Sequence, residues 1–201
     1  MPSSLLINMA LLKFDEINKI EELTVWLDSL KPSELMEPEN VRHCYDLVWD
    51  LMEYLYVLGF NEAREELGVI AEEMSTFLPP DYEAEKEMAL NKEYDGLTFS
   101  DRVQAYAEMG NKSDIIRVVE TDGNRIYQSG GNEGAKGIAK TKTWRTMQDD
   151  RVRDTHDYLE GVTVPYDERF YTYDGDSARF PEDFALPQNN VSCRCWCEYR
   201  K

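Results

Sequence analysis

Three of the four cysteines, Cys193, Cys195 and Cys197, alternate in the C-terminal stretch "VSCRCWCEYR". Three kinds of chemistry are open to such a set: disulfide formation, metal binding and simple packing. In an extended strand, residues i and i+2 lie roughly 6–7 Å apart. That is at or beyond the ordinary Cα limit for a bridge, so neighbouring thiols pair only under strain. The strong zinc spacings, two separated Cys-x-x-Cys pairs or Cys pairs followed by His pairs, are absent. The preferred reading is that the thiols are small apolar residues of a buried strand in a reducing compartment, with no metal or other cofactor. If a metal is held, Cys193, Cys195 and His156 are the candidates.

A second cluster offers acid–base chemistry: Asp149, Asp150, Arg151, Arg153, Asp154, His156 and Asp157. His156 could serve as a general base, while Arg151 or Arg153 could grip a phosphate in bidentate fashion. Against that stands a structural reading. On a helix, Arg153 and Asp157 pair at i,i+4, and Val152 and His156 share the face that packs on a sheet, His156 bonding a backbone group of the last strand. No second histidine or evident nucleophile accompanies His156, so no catalytic residue is assigned and the structural reading is preferred.

The elements that must position these groups follow from periodicity. The first glycine is Gly59, and the long stretch before it is rich in helix formers. Ile17, Ile20, Leu23 and Leu27 predict a helix ended before Pro32. Val41, Cys44, Val48, Leu51 and Leu55 predict another, opened by Pro38 and stopped at Gly59. Helical patterning continues to Leu78, where "PPDY" breaks it. "SDRVQAYAEM" predicts a helix capped by Ser100 and stopped at Gly110. "KSDIIRVVETDGNRIYQS" predicts one capped by Ser113, with Ile115, Val118, Val119 and Ile126 on its apolar side. "GGNEGAKGIAK" reads as a frayed helix end or a flexible loop and is treated as a mobile connection; it lacks the order of a phosphate-binding loop. From Lys140 the texture changes: "KTKTWRTM" as a strand, "DDRVRDTHDYLEG" as a short helix, "VTVPYDERFYTY" as a strand, a turn-rich loop, and "VSCRCWCEYR" as a last strand. The fold class is α+β: a helical N-terminal region (1–80), a helical connecting region (81–139) and a small unit with a short antiparallel sheet (140–201).

Charge narrows the partners. The net charge is −18 over 201 residues, and residues 1–100 alone carry −15. That half repels phosphate backbones and is read first as a solvated helical surface, with a basic partner as the alternative. The span 112–153 carries nine basic and six acidic residues. The default reading of this run is a solvated face; if any surface meets nucleic acid it is this one, through Lys136, Lys140, Lys142 and Arg145. Tyr166, Phe170, Tyr171, Tyr173 and Phe180 suit either an interface or the covering of a sheet. No apolar run approaches the roughly 20 residues that span a bilayer, and "SSLLINMALLKF" lacks the features of a secretory signal, so no membrane partner is expected.

"KTWRTMQDDRVRDTHDYLEG", then "VTV", an aromatic-rich "DERFYTY", a proline-containing loop and a terminal "CRC", resembles the phage Mu F-like minor head protein family, or phage head morphogenesis domain. The matching positions are Trp144, Asp149 or Asp150, Arg151, Val152, Arg153, His156, Gly161, Phe170, Cys193 and Cys195. The resemblance runs from Lys140 to the end, and the preceding helix also looks similar. It implies a minor head protein of a tailed phage or prophage that associates with portal or capsid subunits and, in some members, with packaged DNA. It would be found in the virion, or in the host cytoplasm during assembly. The same domain ends some phage-borne toxins, which implies a nuclease-type alternative through His156, Arg151 and Arg153. Many members carry a Cys-x-x-Cys where this chain has "RVRDTH". Here a zinc-stabilised binding module would need His156, Asp154, Cys197 or Cys44 beside the terminal pair.

Overall fold

The structure is a computed structural model that describes residues 19–35, 37–69, 91, 93, 96–98, 101, 102, 105 and 112–201. The readings at Ile17, Leu78 and "PPDY", and nearly all of "SDRVQAYAEM", lie outside those residues. The fold is α+β. Helices come first: α1 (19–29), α2 (Pro32–Leu35), α3 (Pro38–Glu66) and α4 (Lys112–Ala135). Then follow β1 (Thr141–Arg145), the single turn α5 (Asp154–Asp157), β2 (Thr163–Pro165), β3 (Phe170–Tyr171), β4 (Ser177–Ala178), a 3-10 turn (Pro187–Asn189) and β5 (Trp196–Arg200). Among the described residues, no helix is long and apolar enough to cross a membrane.

Pro38 opens α3 as expected of a residue with no N–H to satisfy. Cys44, Val48, Leu51 and Leu55 are buried on one face. They pack with Leu23, Leu27, Leu35, Ile115, Val119 and Ile126 into one apolar core. Gly59 does not stop α3, which runs on to Glu66. Likewise Ser113 lies inside α4 rather than before it, and "GGNEGA" is not a loop but the last turns of α4. One cause explains the glycine corrections. A Cβ on Gly59 would sit 2.0 Å from the Tyr127 carbonyl oxygen, and one on Gly134 would sit 2.3 Å from that of Phe60. The glycines are where two helix backbones touch, a use that outweighs their poor helix propensity.

The sheet has the order β2–β1–β5, all antiparallel. Lys142 faces Tyr199 across the ladder and Trp144 faces Cys197. Side chains alternate across a strand, so this face delivers Trp144, Cys197 and Tyr199 to a second core. There they meet Leu159, Phe170, Phe184, Cys193 and Cys195, with Ala63, Leu67 and Ala135 from the helices. The strand-like "VTVPYDERFYTY" splits into β2 and β3, parted by a turn at 166–169, and the predicted helix over 149–161 shrinks to α5.

The last strand is also shorter than its pattern. Cys193, Cys195, Cys197 and Tyr199 are all buried while Ser192 and Arg200 are exposed, so the alternation holds. Yet only 196–200 pair in the sheet. Ser192 turns into the left-handed region at φ 57°. Beyond it the backbone bonds to α4 instead: Asn124 Nδ2 donates to the Cys193 carbonyl (3.1 Å) and Gln128 Nε2 to that of Cys195 (3.2 Å). The Ser192 N–H reaches Thr121 Oγ1 at 3.4 Å. Three polar residues one helical turn apart thus take the place of a neighbouring strand.

Candidate functional site

The clamp from α4 fixes where two thiols point. His156 Nδ1 lies 3.5 Å from Cys193 Sγ and 3.6 Å from Cys195 Sγ. The three ligand atoms all lie within 4.8 Å of one another, and all three residues are buried. His156 comes from α5, whose turn is tied down by bonds from the His156 and Asp157 N–H groups to the Arg153 carbonyl. Its ring stacks on Phe184 (5.3 Å, 21°) and meets the edge of Trp144 (5.6 Å). Trp144 in turn meets Phe170 at 5.1 Å. The imidazole therefore turns to thiols, not to a backbone group of the last strand. The hydrogen-bonded Cys195 thiol, and then burial, push the Cys193 thiol well above its ordinary value.

A narrow pocket of about 10 Å³ opens beside this cluster, with room for roughly one water molecule. His156, Cys195, Ser192, Arg151, Arg153 and Arg194 line it. Arg194 is held by a bidentate pair with Asp149 (2.8 and 2.6 Å), which keeps that carboxyl below the usual aspartate range. The Arg153 guanidinium donates to the Val191 carbonyl rather than pairing with Asp157. Arg151 is exposed at the rim, Asp150 is exposed, and Gly161 ends the turn after α5 with φ 75°.

The loop over 172–190 walls this site, and sequence reasoning passed over what organises it. Asp176 accepts bonds from the N–H groups of Ser177, Ala185 and Leu186 and from Asn189 Nδ2. Asn190 bridges the Phe184 N–H and carbonyl (3.0 and 2.7 Å), which sets the ring under His156. Glu182, fully buried at φ 69°, has its carboxyl pushed well above the usual range by burial and by the nearby Cys193. The Asn189–Asn190 pair and Asp176 carry an Asx-type turn signal. Glu182 carries none.

The four proposed phosphate contacts do not form one free basic face. Lys142 is a correction: its side chain is 1% exposed, with Nζ 5.5 Å from the Tyr166 ring centre and 5.6 Å from that of Phe170. Burial lowers its pKa from the ordinary lysine value. Arg145 is tied to Glu160 and Glu198, both at 3.1 Å. Lys136 is exposed and pairs with Glu133, and Lys140 is exposed. Among the other thiols, Cys44 sits in the helical core and Cys197 faces β1, neither in the His156 cluster. Asp154 is exposed.

A curated relative, NAD(+)--arginine ADP-ribosyltransferase EFV of Enterococcus faecalis, is 36% identical over 85 residues, 40% of this chain. The chain spans only 17% of that protein's length. No solved structure gave a significant match. Residues 87–198 match the family described as phage Mu protein F like protein. The match starts well upstream of Lys140 and takes in α4, its clamp, His156 and both clustered thiols; the chain belongs to the phage Mu protein F like family.

Proposed function

We propose that this chain is a minor head protein of a tailed phage or prophage, which docks on portal or capsid subunits while the head is built and stays with the virion. The family match over 87–198 is the observation that carries this reading. The geometry supports a structural role over a nuclease one. His156, the general base of the nuclease alternative, is 1% exposed and turned to two thiols. Of the two arginines in the nuclease reading, Arg153 is occupied by a backbone carbonyl, and Arg151 is exposed at the pocket. The name of the ADP-ribosyltransferase belongs to a protein of which this chain matches a small part.

The test is co-expression with the portal and major capsid proteins of the same phage genome, followed by size-exclusion chromatography and protein analysis of purified procapsids and virions. Co-elution with one of them and presence in particles are expected. Elution as a free chain together with absence from procapsids and virions would overturn the reading.

A further inference from the structure

We propose that His156, Cys193 and Cys195 form a tetrahedral site for a zinc-class divalent cation, whose fourth ligand is a water or small anion entering through the arginine-lined pocket. The distances carry this. Zinc binds sulfur at about 2.3 Å and imidazole nitrogen at about 2.0–2.1 Å, so the N···S edge of its tetrahedron is about 3.6 Å. The two observed edges, from one and the same imidazole nitrogen, are 3.5 and 3.6 Å. A single nitrogen lone pair can accept only one S–H hydrogen bond well, but it can share a metal with two thiolates.

Chemistry and surroundings agree. Two thiolates and an imidazole are a donor set for zinc-class ions, not for calcium or magnesium. Two thiolate charges balance a divalent cation, and binding releases both thiol protons to solvent. The ligands are held before the metal arrives, Cys193 and Cys195 through their carbonyls by Asn124 and Gln128, and His156 by its stack on Phe184. The fourth vertex belongs to the pocket, because His156 and Cys195 both line it. Three protein ligands with one open position is a known zinc arrangement. Arg151, exposed at the mouth, favours an anion there. The Cys-x-Cys spacing alone does not announce such a site; the third ligand lies 37 residues before Cys193 in the chain.

The experiment uses the full chain, stripped of metal, reloaded with Co²⁺ and desalted, and in parallel analysed for metal as purified without added ions. About one metal per chain is expected. The Co²⁺ form should show a thiolate-to-cobalt charge-transfer band and the visible bands of a four-coordinate ion, and the visible bands should shift on adding azide. Cys195→Ser and His156→Ala should weaken binding at least about a hundredfold, and Cys44→Ala should leave stoichiometry and spectrum unchanged. Metal near zero with no charge-transfer band in the unaltered chain would overturn the site, whatever the variants do. So would Cys44→Ala losing the band. Bands indifferent to azide would overturn the open fourth position.

Discussion

Gly130 on α4 lies so close to α3 that a Cβ there would meet the Tyr56 carbonyl oxygen at 2.1 Å. Its neighbour Gly131 is different: a Cβ there would make only ordinary contacts, 3.5 Å to the Gly59 carbonyl oxygen and 3.8 Å to the Tyr199 ring. Two adjacent glycines should therefore answer alanine in opposite ways. Gly130→Ala must push two helix backbones apart and should cost about 3 kcal/mol. Gly131→Ala should be neutral or stabilising by up to about 1 kcal/mol through helix propensity. Urea unfolding of the full chain separates the two. Equal losses would show that the glycines serve flexibility instead of contact.

That pair also shows where the sequence was legible. Apolar periodicity located α3 and the buried face of the C-terminal segment, because both depend on local spacing. Burial alternates at Cys193, Cys195, Cys197 and Tyr199 as the pattern demands. What local spacing does not encode is which backbone lies opposite. "GGNEGA" reads as a loop until α3 is placed against it, and "VSCRC" as a strand until Asn124 and Gln128 claim its carbonyls. Lys142 has the same origin. A lysine in a threonine-rich strand looks exposed, yet the register that buries Trp144 and Tyr199 buries it too. The candidate site was half visible: its three residues were grouped as the ligands a metal would take, but the spacing argued against a metal, and only the fold sets one imidazole nitrogen against both thiols.

Asp176 should be the residue on which the loop over 172–190 depends. Its two oxygens accept four N–H donors, from Ser177 (2.8 Å), Ala185 (3.1 Å), Leu186 (2.9 Å) and Asn189 (3.1 Å). Burial raises its pKa, but the donors, led by the Leu186 N–H, outweigh burial and hold the carboxyl below the usual aspartate value. Asp176→Asn sets an amide N–H against N–H donors and should cost about 2–3 kcal/mol. Because the folded pKa is depressed, the stabilisation is present above the unfolded value of 3.8 and lost as pH falls through the folded one. The variant's acid limb should lack that loss. An unchanged urea midpoint at pH 7 would count against this account.

Lys142→Met tests whether the buried ammonium is a cost. The side chain runs beneath Tyr166 and Phe170, and burial lowers its pKa below 10.5. The methionine keeps the volume and removes the charge, so at pH 7 stability should hold or rise by up to about 1 kcal/mol. In the unaltered chain, the unfolded state holds the proton at pH values where the folded state has released it. Stability on this account therefore climbs as pH rises toward 10.5. The advantage of methionine should shrink over the same range. Lys142→Ala, which leaves a cavity, should cost about 2–4 kcal/mol. A large loss with methionine at pH 7 would mean the ammonium itself is needed.

Cys44 should set part of the alkaline limit of the helical core. It is fully buried among Val48, Leu51 and Leu55, and burial pushes its thiol up to about 12 from 9.0. The unfolded thiol ionises above 9 while the folded one stays protonated until about 12. The contribution is therefore complete below 9 and declines between those values, by up to about 1.4 kcal/mol per pH unit. Cys44→Ala cannot ionise. At pH 7 under reducing conditions it should be less stable by about 1–2 kcal/mol, from the small cavity. Above pH 9 the gap between the two proteins should close, because only the unaltered chain loses the thiol's contribution. Cys197, also pushed up to about 12, is present in both proteins and cancels from the difference. Parallel urea midpoints from pH 7 to 10.5 would show instead that the Cys44 environment opens to water and that the helical core is looser than its packing implies.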